Sequence, residues 1–276
     1  MNNMGKFEGI LFCTDLDGTL YSSEKTVSKE NREAIEYFKS EGGIFTFITG
    51  RVPKTSEKIC ENIKPNAPYG CFNGGGIYDP DAKKYLWKML LQREAIELVR
   101  EVDNQLPEMG IQLNTEKAVY FNKDNSAMVH FRAVTGLPKI SCHFADVAEP
   151  VLKVVFAHDD EEQIIKLITL LNNHPLAHHF DFIRSERRLY EILPKGVSKG
   201  VALSKLAELL NIRAEKTIAA GDYNNDVSMI KQAGLGFAVA NAVAEAKAVA
   251  DYIAVDNNSH AIAAIINGLD CGDYIL

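Results

Sequence analysis

Apolar residues along this chain fall into alternating short runs and longer stripes. Ile10–Thr14, Ile44–Ile48 and Tyr69–Phe72 are short runs bounded by polar or turn residues. Such runs read as strands buried on both faces, whereas apolar positions recurring every three to four residues read as helices. Ser28–Gly42 fits a helix, with Ser28 as its N-cap, a stripe at Ala34, Ile35, Tyr37 and Phe38, and a stop at Gly42–Gly43. Pro53–Ile63 fits a second helix, ended before Pro65. Strand, helix, strand, helix, strand, with polar residues at each strand end, predicts a doubly wound parallel sheet.

From about Lys83 to about Arg188 the pattern changes. Tyr85–Leu91 reads as a strand, and Arg93–Gln105 as a helix with Ile96, Val99 and Val102 on one face. Ile111–Asn114 and Val119–Asn122 read as a hairpin pair, followed by a strand over Val151–Ala157 and a helix over Asp160–Asn172. Phe180–Ser185 and Leu189–Leu193 are two more strands. Strand, helix, strand, strand thus occurs twice, which predicts a mostly antiparallel sheet with helices on one face. The first pattern returns after Pro194. Lys199–Leu210 is a helix with apolar Val201, Leu203, Leu206, Leu209 and Leu210, and three strand–helix pairs follow to Asn267. The expected fold class is α/β: a Rossmann-like doubly wound parallel-sheet core over residues 1–82 and 190–276, with an α+β domain inserted over residues 83–189.

Charge and cysteine content narrow the setting. A formal net charge of −7 over 276 residues argues against nucleic acid or an anionic membrane as partner. Five cysteines, an odd number with no Cys-x-x-Cys spacing, argue against a disulfide framework or a structural zinc site. The opening MNNMGKFEG lacks the basic and apolar regions of a signal peptide, and no apolar run approaches the roughly 20 residues of a membrane helix. A soluble cytoplasmic protein is expected.

The candidate chemistry begins where the first strand stops. Asp15 and Asp17 stand two residues apart, with Gly18 free to turn the chain beneath them. Crowded carboxylates need a cation, a shared proton or a lysine partner. An Asp-Gly turn accounts for Asp17–Gly18 but not for Asp15. An EF-hand loop fails on spacing, because its sixth position is Leu20 and its twelfth Thr26. A signalling receiver domain, which also phosphorylates a strand-end aspartate, stays open.

Asp15/Asp17, Thr49, Asp222 and the start of the Lys199 helix share one structural address, the loop after a core strand, and such loops converge on one edge of a parallel sheet. In that setting Asp15 can attack phosphorus, and Asp17 can pass a proton to the leaving oxygen and take one from water. Asp222 with Asp15 suits a hard cation such as Mg2+. Asp226, four residues on, can support that set from behind. Lys199, the Thr49 hydroxyl and the Gly50 N–H can hold phosphate oxygens. Taken singly, a lysine at a helix start is usually solvated, Thr-Gly-Arg is a common turn, Gly221–Asp222 is a turn or cap, and Arg51 is a surface or substrate-entrance charge. Their joint occurrence at matching strand ends is what carries the reading.

DLDGT at 15–19, TGR at 49–51, Lys199 within GVSKG, and GDYNND at 221–226 resemble the four motifs of the haloacid dehalogenase superfamily, in particular its Cof-like (type IIB) phosphatases. The resemblance implies a cap domain between the second and third motifs and phosphatase activity. It implies Asp15 as nucleophile, Asp17 as general acid/base, and Mg2+ held by Asp15, the backbone carbonyl of Asp17, and Asp222. It further implies that Thr49 and Lys199 position the phosphoryl group, that Asn225 assists, and that Asn73–Gly74 forms a loop near the substrate. The substrates implied are small phosphorylated metabolites, notably sugar phosphates and sometimes flavin or pyridoxal phosphates. A phosphotransferase or mutase on the same scaffold is an alternative; a phospho-accepting signalling module is disfavoured by Asp17 and the long insert. No motif indicates which cap residues choose the substrate, or the oligomeric state. His174, His178 and His179 read as an exposed loop, because Pro175 breaks the helix that would align them. Glycines 74–76 do not match a dinucleotide loop, and the lone Trp87 reads as a core residue.

Overall fold

The structure is a computed structural model that describes residues 5–276; the first four residues of the expected core segment lie outside the described residues. The chain divides into two compact units, one ending at Trp87 and resuming over Ser198–Leu276, the other spanning Lys88–Val197.

The first unit is built on β1 (Leu11–Thr14), α1 (Lys29–Ser40), β2 (Ile44–Phe47), α2 (Pro53–Ile63), β3 (Tyr69–Cys71), β4 (Gly76–Asp79) and β5 (Lys84–Lys88). The second holds α3 (Ala95–Gln105), β6 (Gly110–Thr115), β7 (Val119–Lys123), α4 (Ser126–Thr135), β8 (Ile140–Ser141), β9 (Val151–Ala157), α5 (Glu161–Asn172), β10 (Phe180–Glu186) and β11 (Leu189–Pro194). The first unit then resumes with α6 (Lys199–Leu209), β12 (Thr217–Gly221), α7 (Val227–Gln232), β13 (Leu235–Val239), α8 (Ala244–Val249), β14 (Tyr252–Ala254) and α9 (Ala261–Cys271).

The first unit's main sheet is parallel, in the order β14-β13-β12-β1-β2. Its interior strand β1, between β12 and β2, is wholly buried, in keeping with its mainly apolar run. Leu11 and Cys13 meet Leu203 and Leu206 of α6 on one face, while Phe12 meets Phe38 of α1 and Phe45 of β2 on the other. α1 starts where Ser28 Oγ accepts the Asn31 N–H at 3.1 Å, and its buried stripe is Ala34, Ile35 and Phe38.

Three expectations for this unit need correction. β3 does not extend the parallel sheet. It touches it through a single bridge from Gly70 to Ile48 and turns back as an antiparallel partner of β4. The cause is local: Phe72, Asn73 and Gly74 all take positive φ, reversing the chain before any crossover helix can form. β5, expected in the insert, joins β3 and β4 in that small sheet, and Trp87 packs against the first unit's core beside it. In α6 the buried face is Lys199, Gly200, Ala202, Leu203, Leu206 and Ala207, while Val201 and Leu209 are exposed.

The second unit is a six-stranded sheet in the order β10-β11-β9-β6-β7-β8, antiparallel except for the β7–β8 pair. β11 belongs here and not to the core segment expected from residue 190. α3 and α5 cover one face through Leu98, Val102 and Leu167 against Ile111, Val154 and Tyr190. The helix α4, which the apolar pattern did not reveal, lies on the other face. Met128 backs onto Gly110, and the Arg132 guanidinium sits over the Phe121 ring. Helices therefore flank both faces and not one. No helix among the described residues is long and apolar enough to cross a membrane.

Candidate active site

Register alone brings the strand-end residues together. Thr14 pairs with Ala220 of β12 and with Phe47 of β2, so the chain leaves three neighbouring strands at one level and one end. Asp15 follows β1, Asp222 follows β12, and Thr49 lies just past β2. Lys199 opens α6, whose N-cap Ser198 accepts the Val201 N–H at 3.2 Å.

Lys199 is 1% exposed, and its Nζ donates to Asp15 Oδ1 and to Asp226 Oδ1. The other Asp226 oxygen, Oδ2, accepts the Asp222 and Tyr223 N–H groups at 2.9 and 3.0 Å. Asp226 thus locks the turn after β12, and it comes so close to Gly221 that a Cβ there would lie 2.4 Å from its own. Thr19 Oγ1 donates to Asp222 Oδ1 at 2.9 Å. Asp15 Oδ2 and Asp222 Oδ2 are left without a donor among the described residues.

Asp15, Asp222 and Asp226 offer carboxylate oxygens within 4.8 Å of one another. Three carboxylates face one ammonium, which leaves an excess of negative charge in a buried place. Burial pushes the Asp15 carboxyl well above its ordinary value; Lys199 draws it down, and Asp226, Asp222 and Asp17 add to the rise. Burial and then Asp226 push Asp222 up to about 7, against the Thr19 hydrogen bond. Burial disfavours the Lys199 ammonium, but Asp15 and Asp226 outweigh it and hold the lysine charged. Two open carboxylate oxygens and uncompensated negative charge fit a hard divalent cation.

Asp17 sits in a different environment. Arg51 grips it with two hydrogen bonds, Nε to Oδ2 and Nη2 to Oδ1, both 2.8 Å, and Lys25 Nζ adds a third at 2.9 Å. Burial alone would raise this carboxyl; the Arg51 hydrogen bonds and charge, joined by Lys25, win and lower it to about 2. Arg51 also lies over the Tyr21 ring, 5.2 Å from its centre. Arg51 is thus tied to the strand-end aspartates and is not simply a surface charge. Lys25, Tyr21 and the Thr19 hydroxyl were not singled out from the sequence. Lys25 belongs to no spaced motif, whereas Thr19 stands inside DLDGT, where its hydroxyl is the available signal.

Thr49 is buried and its Oγ1 accepts the Arg51 N–H at 3.2 Å. Asn73, fully buried in a left-handed conformation, donates its N–H to the Thr49 carbonyl at 3.0 Å, and its Oδ1 accepts from Asn225 Nδ2 at 3.0 Å. A Cβ on Gly50 would fall 2.9 Å from that same Oδ1. Asn73 therefore ties the loop after β2 to the loop after β12. Gly18, at φ +89°, lies under Asp222: a Cβ there would meet Asp222 Oδ2 at 2.4 Å. Gly18→Ala is expected to lower stability by about 1–3 kcal/mol and to displace the Asp222 carboxylate. Thermal unfolding with and without a divalent cation checks both, since the variant should lose most of the cation's stabilising effect.

Comparison with known proteins bears on the same residues. A model of the haloacid dehalogenase-like hydrolases matches residues 12–266. A 5-amino-6-(5-phospho-D-ribitylamino)uracil phosphatase of Bacillus subtilis is 28% identical, covering 94% of this chain and 98% of the relative. A haloacid dehalogenase-like hydrolase from Bacteroides thetaiotaomicron superposes with a TM-score of 0.83 at 26% identity, over 94% of this chain and 98% of that one. A subclass IIB sugar phosphatase, at 20% identity and TM-score 0.83, shares the fold, covering 95% of this chain and 99% of that one. This chain belongs to the haloacid dehalogenase-like hydrolases, as a phosphatase of that family.

Proposed function

We propose that this enzyme hydrolyses small phosphorylated metabolites, sugar phosphates foremost, through a phosphoryl group carried on Asp15, with Mg2+ as its metal. The observation that carries the proposal is the buried Asp15–Lys199–Asp226 arrangement beside Asp222, which leaves one Asp15 oxygen open at the strand ends. Asp15, Asp222 and the Asp17 backbone carbonyl would hold the metal, which when bound screens the charge between carboxylate and phosphate.

Asp15 Oδ2 attacks phosphorus, and the ester oxygen leaves as an alcohol. Lys199 opposes the effect of burial on Asp15 and orients it, and with the Thr49 hydroxyl and the Gly50 amide it stabilises charge on the phosphoryl oxygens. Water then attacks the acyl phosphate and returns the carboxylate. As held by Arg51 and Lys25, Asp17 is ionised, the form that accepts a proton from water; donating one to the leaving group requires it to move off Arg51 first. Asn225 and Asn73 align the loops, Asp226 fixes Lys199, and the Lys88–Val197 unit supplies substrate selectivity. The setting we infer is cytoplasmic, with no nucleic acid or membrane partner.

Phosphate release from a panel of sugar phosphates and an aryl phosphate tests the proposal. Release should stop with chelator and return with Mg2+; release that is indifferent to chelator would exclude the metal, and no release at all would exclude the activity.

Proton linkage gives a second check. The folded Asp222 value, about 7, lies above the unfolded 3.8. Its contribution to stability is therefore complete below the unfolded value and is lost as pH rises through the folded one. Metal-free protein should lose thermal stability on going from about pH 5 to about pH 8. Mg2+ competes with that proton, so its stabilisation, about 2.7 kcal/mol at a hundred times Kd, should be fully expressed only at the higher pH. Calorimetric scans at both pH values decide; equal metal-induced shifts would count against Asp222 as a ligand.

A further inference from the structure

The loop after β13 contributes no side chain to the site described above, yet it braces two of the loops that build it. Ala238 of β13 stands opposite Gly221 of β12, so the chain leaves β13 after Val239, beside Asp222. From there the Val243 N–H donates to the Asp222 carbonyl at 2.9 Å. Asn241 Nδ2 reaches further and donates to the Gly18 carbonyl at 2.8 Å. Asn241 Oδ1 accepts the Asn257 N–H at 3.0 Å, and Asn257, buried in the turn after β14, donates through Nδ2 to the Tyr21 carbonyl at 2.9 Å. Asn258 ties the outer end of the same β1 loop: its Oδ1 accepts the Ser23 N–H at 2.9 Å and its Nδ2 donates to Ser23 Oγ at 3.0 Å. All of these residues belong to the first unit.

Sheet pairing does not require the bond from Asn241 to Gly18. β12 lies between β13 and β1, so Asn241 spans from one outer loop to the other past the strand end that carries Asp222. What it holds is the freest point of the β1 loop, since glycine restricts the backbone least. Gly18 has φ +89° and lies so close to Asp222 that a Cβ would meet Oδ2 at 2.4 Å. The crowded carboxylates of Asp15 and Asp222 favour a wider spacing of their two loops. Asn241 opposes that. A carbonyl needs a donor and an N–H needs an acceptor, and a carboxamide offers both in one planar group. The Val243 N–H holds the β12 loop through backbone alone, so the side chain of Asn241 is what sets the β1 loop against it. Mg2+ demands near-ideal octahedral geometry, so a small shift of the Asp15–Gly18 segment relative to Asp222 costs affinity.

We propose that Asn241 is a positioning residue for the metal: bonded to the Gly18 carbonyl and the Asn257 N–H, it holds the loop after β1 at the spacing from Asp222 that a divalent cation needs. This rests on the phosphatase reading above, with Mg2+ as its metal. Groups that orient metal ligands from outside the coordination sphere commonly carry 10–100-fold in affinity.

The test measures Mg2+ binding to wild type, Asn241→Ala and Asn241→Leu by titration calorimetry without substrate, with thermal unfolding as a control for folding. Asn241 is exposed and its φ is not positive, so both variants are expected to fold; should one fail, the other decides. Asn258→Ala, which cuts only the outer tie, is the control for a general loosening of the loop. The Asn241 variants should bind Mg2+ about ten-fold more weakly than wild type, and Asn258→Ala should bind it as wild type does. Release of phosphate from p-nitrophenyl phosphate by the Asn241 variants should need about ten-fold more Mg2+ and should return to near the wild-type kcat once Mg2+ saturates. An unchanged Mg2+ Kd in a folded Asn241 variant, or an equal loss in Asn258→Ala, overturns the inference and leaves the phosphatase reading intact. A kcat that stays low at saturating Mg2+ overturns it too. Wild-type protein that binds Mg2+ but releases no phosphate overturns the phosphatase reading while the calorimetry still decides the role of Asn241; wild type that binds no Mg2+ overturns the metal assignment and this inference together.

Discussion

Asp15→Asn is expected to reduce phosphate release from every substrate by about 10⁴-fold or more, as removal of a covalent nucleophile does. The amide preserves the shape of the side chain and can still accept from Lys199 through its oxygen, but it carries no charge and does not attack phosphorus. The variant should fold. It removes one of three carboxylates crowded around a single ammonium, and the remaining Asp226 still pairs Lys199. The unfolding midpoint should therefore stay near that of wild type while turnover is lost, which separates a chemical defect from a structural one. Mass spectrometry of acid-quenched protein adds a direct readout. Wild type mixed with substrate should gain one phosphoryl group on the peptide containing Asp15, and the variant none. Turnover retained within ten-fold of wild type would mean that another group makes the bond to phosphorus.

Lys199→Met has the opposite character, damaging fold and chemistry together. Its ammonium is the common partner of Asp15 and Asp226, and it is buried with both. Taking one partner out of a buried ion pair costs about 3–5 kcal/mol, because the charges left behind are neither solvated nor paired. For a domain of this size that corresponds to a fall in Tm on the order of 10 °C. The loss should be larger at high pH. Without the lysine Asp15 loses the one charge that draws its carboxyl down, and at low pH it escapes the penalty by holding a proton. Lys199→Arg is not expected to rescue it, since a planar guanidinium does not fit where one nitrogen serves two oxygens in a closed site. Thermal scans at two pH values are the measurement; a Lys199→Met midpoint equal to wild type at high pH would show that the pair contributes nothing.

These side chains differ in how far they could be read from the sequence. Asp15, Thr49 and Asp222 were legible because each follows a short apolar run that reads as a buried strand, and a parallel sheet sends such residues to one edge. Lys199 was legible from the helix it opens. The grip of Arg51 on Asp17 was not, because the sequence places Arg51 after β2 without saying which way its long side chain turns. The path of β3 was decided by consecutive positive φ values at Phe72 and Asn73, which no propensity for phenylalanine would suggest. Val201 and Leu209 looked like core because helical periodicity marks apolar positions, and they are exposed because the face that meets the sheet is lined by Ala202, Leu203, Leu206 and Ala207. The α4 helix, with Val129 and Val134 exposed, has too weak an apolar stripe to stand out.

The strand order of the first unit also bears on how the protein is made. β1 pairs with β12, and Leu11 lies opposite Thr217, a separation of 217 − 11 = 206 positions. At synthesis rates of about 5–20 residues per second, the edge of β1 that pairs with β12 waits about 10–40 s on the ribosome for its neighbour. The intervening segment is contiguous and can collapse first. Nascent chains halted before β12 should therefore expose Leu11–Thr14 to chaperones, and that exposure should end once Thr217–Gly221 has emerged.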